Sequence, residues 1–286
     1  MLKFCSKFKD ACSLWWAHFV CVIGTLATIY TISALCCAYL NEHAKEVGAA
    51  LLVCSAVIAI YKVWPKNSVT IKLKNRLSVN VKIGDLFAIK KGVIVIPVND
   101  YFDTQVDNIV IGENTLHGRF VKYFKTQYPD LDLYKEIQKA VKQDGVKPIA
   151  ENKERLRVKH GYNKKFELGT VVRIIEGQMQ YYLLVATEFD KDNHIISQPQ
   201  KYAMILQRLY DYINVHNSGV SVYIPIIGSG QMGLQQSKDE ILEFMLRNLR
   251  FTSQYFTQGG TTIMIYEKDK SEFHLNKLKY DIEKLF

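Results

Sequence analysis

Beyond residue 54 this 286-residue chain has no cysteine, and all six thiols (Cys5, Cys12, Cys21, Cys36, Cys37 and Cys54) lie before it. No C-x-x-C pair occurs, which argues against a zinc site and a disulfide scaffold. Thiols within apolar helices are ordinarily buried and inert. The stretch Leu14–Leu40 lacks Asp, Glu, Lys and Arg, and His18 is its one basic side chain. No internal repeat or low-complexity tract is present, which excludes solenoid architectures. The basic segment 142–165 lacks regularly interleaved aromatics, and single-stranded nucleic acid is bound by stacking on such residues. That weakens a nucleic-acid reading, although the segment could serve as a groove for one or as a solvated loop.

What is present divides the chain. Leu14–Leu40 is long enough to cross a hydrocarbon core of roughly 30 Å with room to tilt. Val47–Trp64 is a second apolar run, with Lys62 placed to snorkel. Residues 1–64 therefore predict a two-helix transmembrane hairpin, 65–68 a linker, and 69–286 a separate domain. A cleaved signal peptide competes for the first run, but that run is longer than a usual apolar core and a second follows it. Lys3, Lys7 and Lys9 precede the first run; Lys62, Lys66, Lys72, Lys74 and Arg76 flank or follow the second; only Lys45 lies in the connection. The positive-inside rule then places both termini in the cytoplasm, with the chain in the inner membrane. Gly24/Thr28, Ala34/Ala38 and Ser55/Ala59 put small residues four apart. This spacing serves either packing within the hairpin or association between copies.

Net charge is +9, and seven of the nine units fall after residue 64. Such a surface suits polyanions such as nucleotides, nucleic acid or anionic lipid, or simply solubility. Alternation in Val69–Leu73 and Leu77–Ile83 predicts two strands. Gly92–Val98 predicts a third, buried on both faces, with Asn99 at its end. Helices are expected from about Asn114 to Gln127, over Leu131–Gln143, over Gln198–Asn214, near Ser237–Arg250 and near Ser271–Leu285. Further strands are expected over Phe166–Ile175, Gln180–Thr187 and Thr261–Tyr266. Asp85, directly after a strand, is placed either to cap a turn or to accept at a pocket floor.

The stretch Val220–Gly233, VSVYIPIIGSGQMG, runs from an apolar strand into a glycine loop. Such a loop can present backbone N–H groups to phosphates, because glycine lacks the Cβ that would hold a diphosphate away. The string also fits G-x-G-x-x-G, but the acid that ends the next expected strand, Glu267, lies 39 residues after Gly228 rather than about twenty, and the motif lies late in the chain, unlike a Rossmann fingerprint. A glycine turn without a ligand is the plain alternative.

Val81–Leu86 (V-x-x-G-D-x), the strand closing in Pro97-Val98-Asn99, the I-P-x-I-G-S-G-x-x-G string and the ending I-M-I-Y-E-K before a last helix together resemble a macro domain. The resemblance covers about residues 68–286 and implies a three-layer α/β/α fold with a mixed sheet. With the hairpin and Asn114–Arg119 (N-T-L-H-G-R) added, the chain resembles the transmembrane macro-domain effectors of Thoeris antiphage defence. In those systems a TIR-domain partner makes an ADP-ribose-derived signal, with histidine-ADP-ribose the leading candidate here. The resemblance implies that Asp85 accepts from the adenine amino group with the Leu86 backbone nearby, and that Tyr266 stacks on adenine. Gly228, Ser229, Gly230, Gln231, Met232 and Gly233 would wrap the diphosphate, and Asn99 would meet the distal ribose or its adduct. Leu116, His117, Gly118 and Arg119 stand where the family has a glycine triplet. This departure weighs against hydrolase chemistry and leaves Arg119 or His117 to contact the diphosphate or adduct.

These readings imply a ligand-gated effector that oligomerises and disrupts the membrane, with no catalytic residue, metal or cofactor. A membrane-tethered ADP-ribosyl hydrolase or ADP-ribose reader is the alternative.

Overall fold

The computed structural model describes residues 2–36, 43–74, 77–152, 155, 163–217, 219–230, 232–252, 255 and 257–284. In chain order the elements begin with helices α1 (Leu2–Cys36) and α2 (Ala44–Val63), then strands β1 (Ser68–Lys74), β2 (Leu77–Ile83) and β3 (Gly92–Asn99). Helices α3 (Leu116–Gln127) and α4 (Leu133–Gln143) follow, then strands β4 (Ala150–Glu151), β5 (Lys164–Lys165), β6 (Val171–Glu176), β7 (Met179–Phe189) and β8 (Ile195–Ile196). The chain closes with α5 (Tyr202–His216), β9 (Val222–Pro225), α6 (Lys238–Phe251), β10 (Thr261–Ile265) and α7 (Leu275–Lys284). It forms two compact units, Met1–Val69 with His274–Leu285, and Thr70–Phe273. The last helix thus groups with the N-terminal helices, although the sequence pattern assigns it to the domain expected over 69–286.

In the first unit α1 packs on α2. Both helices are long and apolar enough to cross a membrane, over Cys12–Ala34 and Ala44–Lys62. Their outward faces carry Trp16, Val20, Ile29, Ile32, Val53, Val57 and Ile60, all exposed. The hydroxyls of Thr25, Thr28, Thr31 and Ser55 each donate to the carbonyl four residues back. Their polarity is therefore satisfied within the helix, as an apolar surrounding requires. Ser55 and Ala59 are buried against the partner helix, whereas a Cβ at Gly24 would meet nothing within 4 Å. One small-residue pair thus serves the hairpin itself and another stays open. The expected end of the first run at Leu40, and Ala38 with it, lie outside the described residues. The Asn276 amide donates to the Trp64 carbonyl at 2.7 Å, and Tyr280 meets His18 edge-on at 6.2 Å.

The second unit is built on a mixed sheet of order β1-β2-β10-β9-β3-β7-β6, with β8 paired to β7. Strands β2, β10, β9, β3 and β7 run parallel, and β6 runs antiparallel to β7. In β3 only Pro97 keeps partial exposure, which explains the unbroken apolar run. Helix α3 packs on β3, α4 on β6, and α5 on β6, β7 and α6. Tyr181, Tyr182, Tyr210, Phe120 and Phe124 fill the core between these layers.

Three of the boundaries that differ from the sequence pattern have a local cause. The strand expected from Phe166 begins at Val171, because the Phe166 N–H donates to the Asp100 carbonyl and Gly169 turns the chain at φ +84°. Helix α4 starts at Leu133 rather than Leu131, since the Asp132 carboxylate accepts the Tyr134 N–H at 3.0 Å and caps it. The last helix starts at Leu275. Glu267–Glu272 forms a separate 3-10 segment, pinned by Lys238 Nζ at 2.5 Å from Asp269 and 2.9 Å from Glu272. Of the basic segment 142–165, residues 153–154 and 156–162 lie outside the described residues.

Candidate functional site

Parallel pairing brings the carboxyl ends of β2, β10, β9 and β3 to one edge, the place where α/β sheets gather ligands. A cavity of about 520 Å³ opens there, within the range of small-molecule sites. Its wall includes Gly84 and Leu86 after β2, Tyr266 after β10, Gly228–Gly230 and Met232 after β9, and Asn99 closing β3. The start of α3 supplies Asn114, Thr115, Leu116, His117 and Arg119. Five separate sequence motifs thus meet at one hollow.

The glycine loop is held from behind. Tyr202 Oη donates to the Ile227 carbonyl at 2.7 Å, and the Tyr202 ring packs on Gly228. Gly228 has φ +92°, and a Cβ there would lie 2.6 Å from Leu234 Cδ1, so only glycine fits. A Cβ at Gly230 meets no heavy atom within 4 Å. Among the described residues, neither Gly228 nor Gly230 donates its N–H to another backbone oxygen. Ser229 Oγ turns back onto the Ile226 carbonyl at 2.8 Å. Gly233 does not line the cavity; at φ +71° it packs against Ser197. Gln231 lies outside the described residues.

The helix after this loop does not itself face the cavity. Helix α6 begins only at Lys238, and a reciprocal capping box between Ser237 and Glu240 satisfies its first turn. The helix start that does face the cavity belongs to α3. Thr115 caps it, accepting the Gly118 N–H at 3.0 Å and donating to the Gly112 carbonyl at 2.7 Å. The amides of Leu116 and His117 open the helix and have no intrahelical acceptor. Gly118 is structural: a Cβ would sit 2.3 Å from the Gly112 carbonyl oxygen, so the helix start could not close on that turn. It is not part of the cavity wall.

Asn99 is held rigidly. Its Oδ1 accepts the N–H groups of Tyr101 (3.3 Å) and Asp103 (3.1 Å), and its Nδ2 donates to Asp103 Oδ2 at 2.8 Å. One amide hydrogen remains for the cavity. Asp103 is clamped in turn by Arg155, with Nη1 at 2.8 Å and Nη2 at 2.6 Å, and both side chains are buried. The Arg155 guanidinium also lies 3.7 Å from the centre of the Tyr101 ring. Beside this clamp Asp100 Oδ1 accepts the Phe189 N–H while Oδ2 faces Lys165 Nζ at 3.4 Å without a hydrogen bond. Burial pushes its carboxyl up to about 7, against the pull of Lys165. His117, hydrogen-bonded to the Asp103 backbone, is pushed down to about 4 by burial and is neutral at ordinary pH.

Asp85 stands just behind the wall. Its Oδ1 accepts the Phe87 N–H at 3.2 Å and Arg119 Nη2 at 3.0 Å. The Arg119 guanidinium lies 4.5 Å from the Tyr266 ring centre and 5.1 Å from that of Phe87. Arg119 is therefore at the Asp85–Tyr266 end, not at the glycine loop. Among the wall residues that the motifs did not mark are Asn108, Val110, Ile111, Thr187 and Phe189. They come from an irregular loop and from the end of β7, where no motif signals a ligand. Pairing of β7 with β3 was the one available cue.

A mixed α/β sheet with a deep cavity at its carboxyl edge, a glycine loop on one wall and a carboxylate–aromatic pair at one end defines a macro domain. Residues 79–266 match the family described as "Thoeris protein ThsA, Macro domain", and the chain belongs to that family. It is 27% identical to Thoeris protein ThsA of Bacillus amyloliquefaciens (strain Y2), over 98% of this chain and 93% of that protein. Among solved structures, a point mutant of the Oceanobacillus iheyensis macrodomain aligns with a TM-score of 0.50 at 16% identity, over 77% of this chain and all of that one. The same macrodomain solved with ADP aligns at 0.45 and 15% identity, over 76% and 97%.

Proposed function

We propose that this chain is a membrane-anchored defence effector whose macro domain binds an ADP-ribose-derived signal. The carrying observation is the meeting, around one cavity, of Tyr266, the open amides of the glycine loop and the rigid Asn99 amide, with Asp85 just behind the wall and held to it by Arg119. Adenine goes to the first, the diphosphate to the second, the distal ribose and its adduct to the third. The first two amides of α3 give the diphosphate a second set of donors. The signal is histidine-ADP-ribose or a close relative, made by a TIR-domain partner. Val110, Ile111 and Phe189 with Asn108 and Thr187 line the same cavity and suit the flat imidazole ring of such an adduct.

Binding rather than hydrolysis is favoured by the wall itself. Its titratable side chains among the described residues are His117, Arg119, Tyr266 and Asp269. A histidine pushed down to about 4 is a poor base at neutral pH. Asp100 and Asp103 are fully buried and engaged elsewhere.

The apolar faces of α1 and α2 sit in the inner membrane, both termini on the cytoplasmic side. The open surface at Gly24 offers a contact between copies in lipid. Tyr266 leads through the 3-10 segment into α7, which joins the hairpin unit, so the chain itself links the ligand to the membrane. A shift of 1:99 to 99:1 between two states needs about 5.5 kcal/mol of differential binding, within reach of a nucleotide with several charge-assisted hydrogen bonds.

Reconstitution of the full chain in dye-loaded phosphatidylethanolamine/phosphatidylglycerol vesicles tests this. ADP-ribose or its histidine conjugate is expected to release dye and raise the oligomer size on crosslinking. Tight binding with neither response would leave a reader without an effector; no binding of either compound would end the proposal.

A further inference from the structure

We propose that Arg119 is a built-in stand-in for the base and a determinant of ligand choice. The inference rests on the ADP-ribose reading of the cavity. A guanidinium is planar, cationic and rich in N–H donors. Here it covers one face of Tyr266, 4.5 Å from the ring centre, and donates to Asp85 at 3.0 Å. Stacking on that ring and donating to that carboxylate are the two contacts an adenine would make. The Arg119 group and a purine therefore compete for the same ring face and the same carboxylate.

Phe87 strengthens the hold. It lies 5.1 Å from the guanidinium, its own N–H shares Asp85 Oδ1, and its ring stacks on Tyr123 of α3 at 4.9 Å. Arg119 leaves the α3 backbone within the first turn, and its side chain forms part of the cavity wall. Once displaced, it stays tethered beside the α3 amides, where a diphosphate would need a cation. A ligand carrying both adenine and diphosphate replaces what it breaks: Asp85 gains the adenine amine and Arg119 gains the phosphates. Adenosine breaks the same contacts and offers the guanidinium nothing. The chain would thus reject nucleosides and bases while accepting nucleoside diphosphates, through one residue that reports on both halves of the ligand.

The test is titration of adenosine and of ADP-ribose into the full chain in detergent micelles, for wild type, Arg119→Ala and Arg119→Lys, with a melting curve for each. Removing the stand-in is expected to tighten adenosine by about five-fold or more, the combined size of a part-exposed ion pair and a cation–π contact. ADP-ribose is expected to weaken or stay level in Arg119→Ala, so its advantage over adenosine shrinks by at least the same factor of about five. Arg119→Lys should also tighten adenosine, because an ammonium cannot stack in the same way, while keeping more of the ADP-ribose affinity. Unchanged or weaker adenosine binding in both folded variants overturns the proposal. Tighter adenosine with no wild-type binding of ADP-ribose would leave the stand-in intact and defeat the signal-binding reading instead.

Discussion

Replacing Arg155 by methionine should unseat the distal end of the cavity without touching its wall. The bidentate contacts of 2.8 and 2.6 Å hold Asp103 where neither side chain reaches solvent. Loss of the guanidinium leaves a buried carboxylate uncompensated, which costs about 3–5 kcal/mol. At about 2–4 °C per kcal/mol for a domain of this size, the melting temperature should drop by about 6–20 °C. The damage should be selective, because Asp103 positions Asn99. The Asn99 Nδ2 bond and the Asp103 N–H to Asn99 Oδ1 would both relax. A charged Asp103 is the problem, so acidification should recover part of the loss, and pairing Arg155→Met with Asp103→Leu should recover most of it. Thermal melts of the two single variants and the double variant close the cycle. Additive losses, or an Arg155→Met variant as stable as wild type, would refute the claim that this buried pair fixes the distal end.

Gly230→Val should melt like wild type, since its Cβ position is open, yet weaken ADP-ribose by about tenfold or more through lost close approach to the loop amides. Gly228→Val should instead lower the melting temperature, because φ +92° and Leu234 forbid it. Two groups with opposite shifts should also cancel in the pH profile. His117 titrates at about 4 in the fold against 6.5 unfolded, so the unfolded chain takes the proton first and stability falls as pH drops from 7 to 5, by about 2 kcal/mol. Asp100 titrates at about 7 against 3.8, so the fold takes the proton first and stability rises over the same interval by about 2 kcal/mol. Asp100→Asn should therefore expose a clear loss of stability on acidification to pH 5 that wild type lacks; equal profiles would contradict the assignment.

The sequence carried the sheet because its buried strands are chemically distinct. The apolar runs at Gly92–Val98 and Val222–Pro225 are fully or nearly buried, and the turn after each is marked by asparagine or glycine. It carried the identities at the wall because strand ends converge in any parallel sheet. It could not show that Arg119 leans to Asp85, since a side chain of that length reaches either end of the cavity. Nor could spacing reveal the Asp103–Arg155 clamp, which joins residues 52 apart through an irregular loop. Gly118 and Gly233 read as ligand contacts, yet they serve close packing against Gly112 and Ser197. The grouping of α7 with the hairpin was equally hidden, because Tyr280 and Asn276 look like ordinary surface residues of an amphipathic helix.

Calorimetric titration of the full-length protein in detergent micelles with ADP-ribose and with its histidine conjugate addresses the central claim most directly. Saturable heat at one site per chain, with affinity weakened about tenfold or more in Gly230→Val, is the predicted result. No heat from either compound, with the protein shown to be folded, would contradict it.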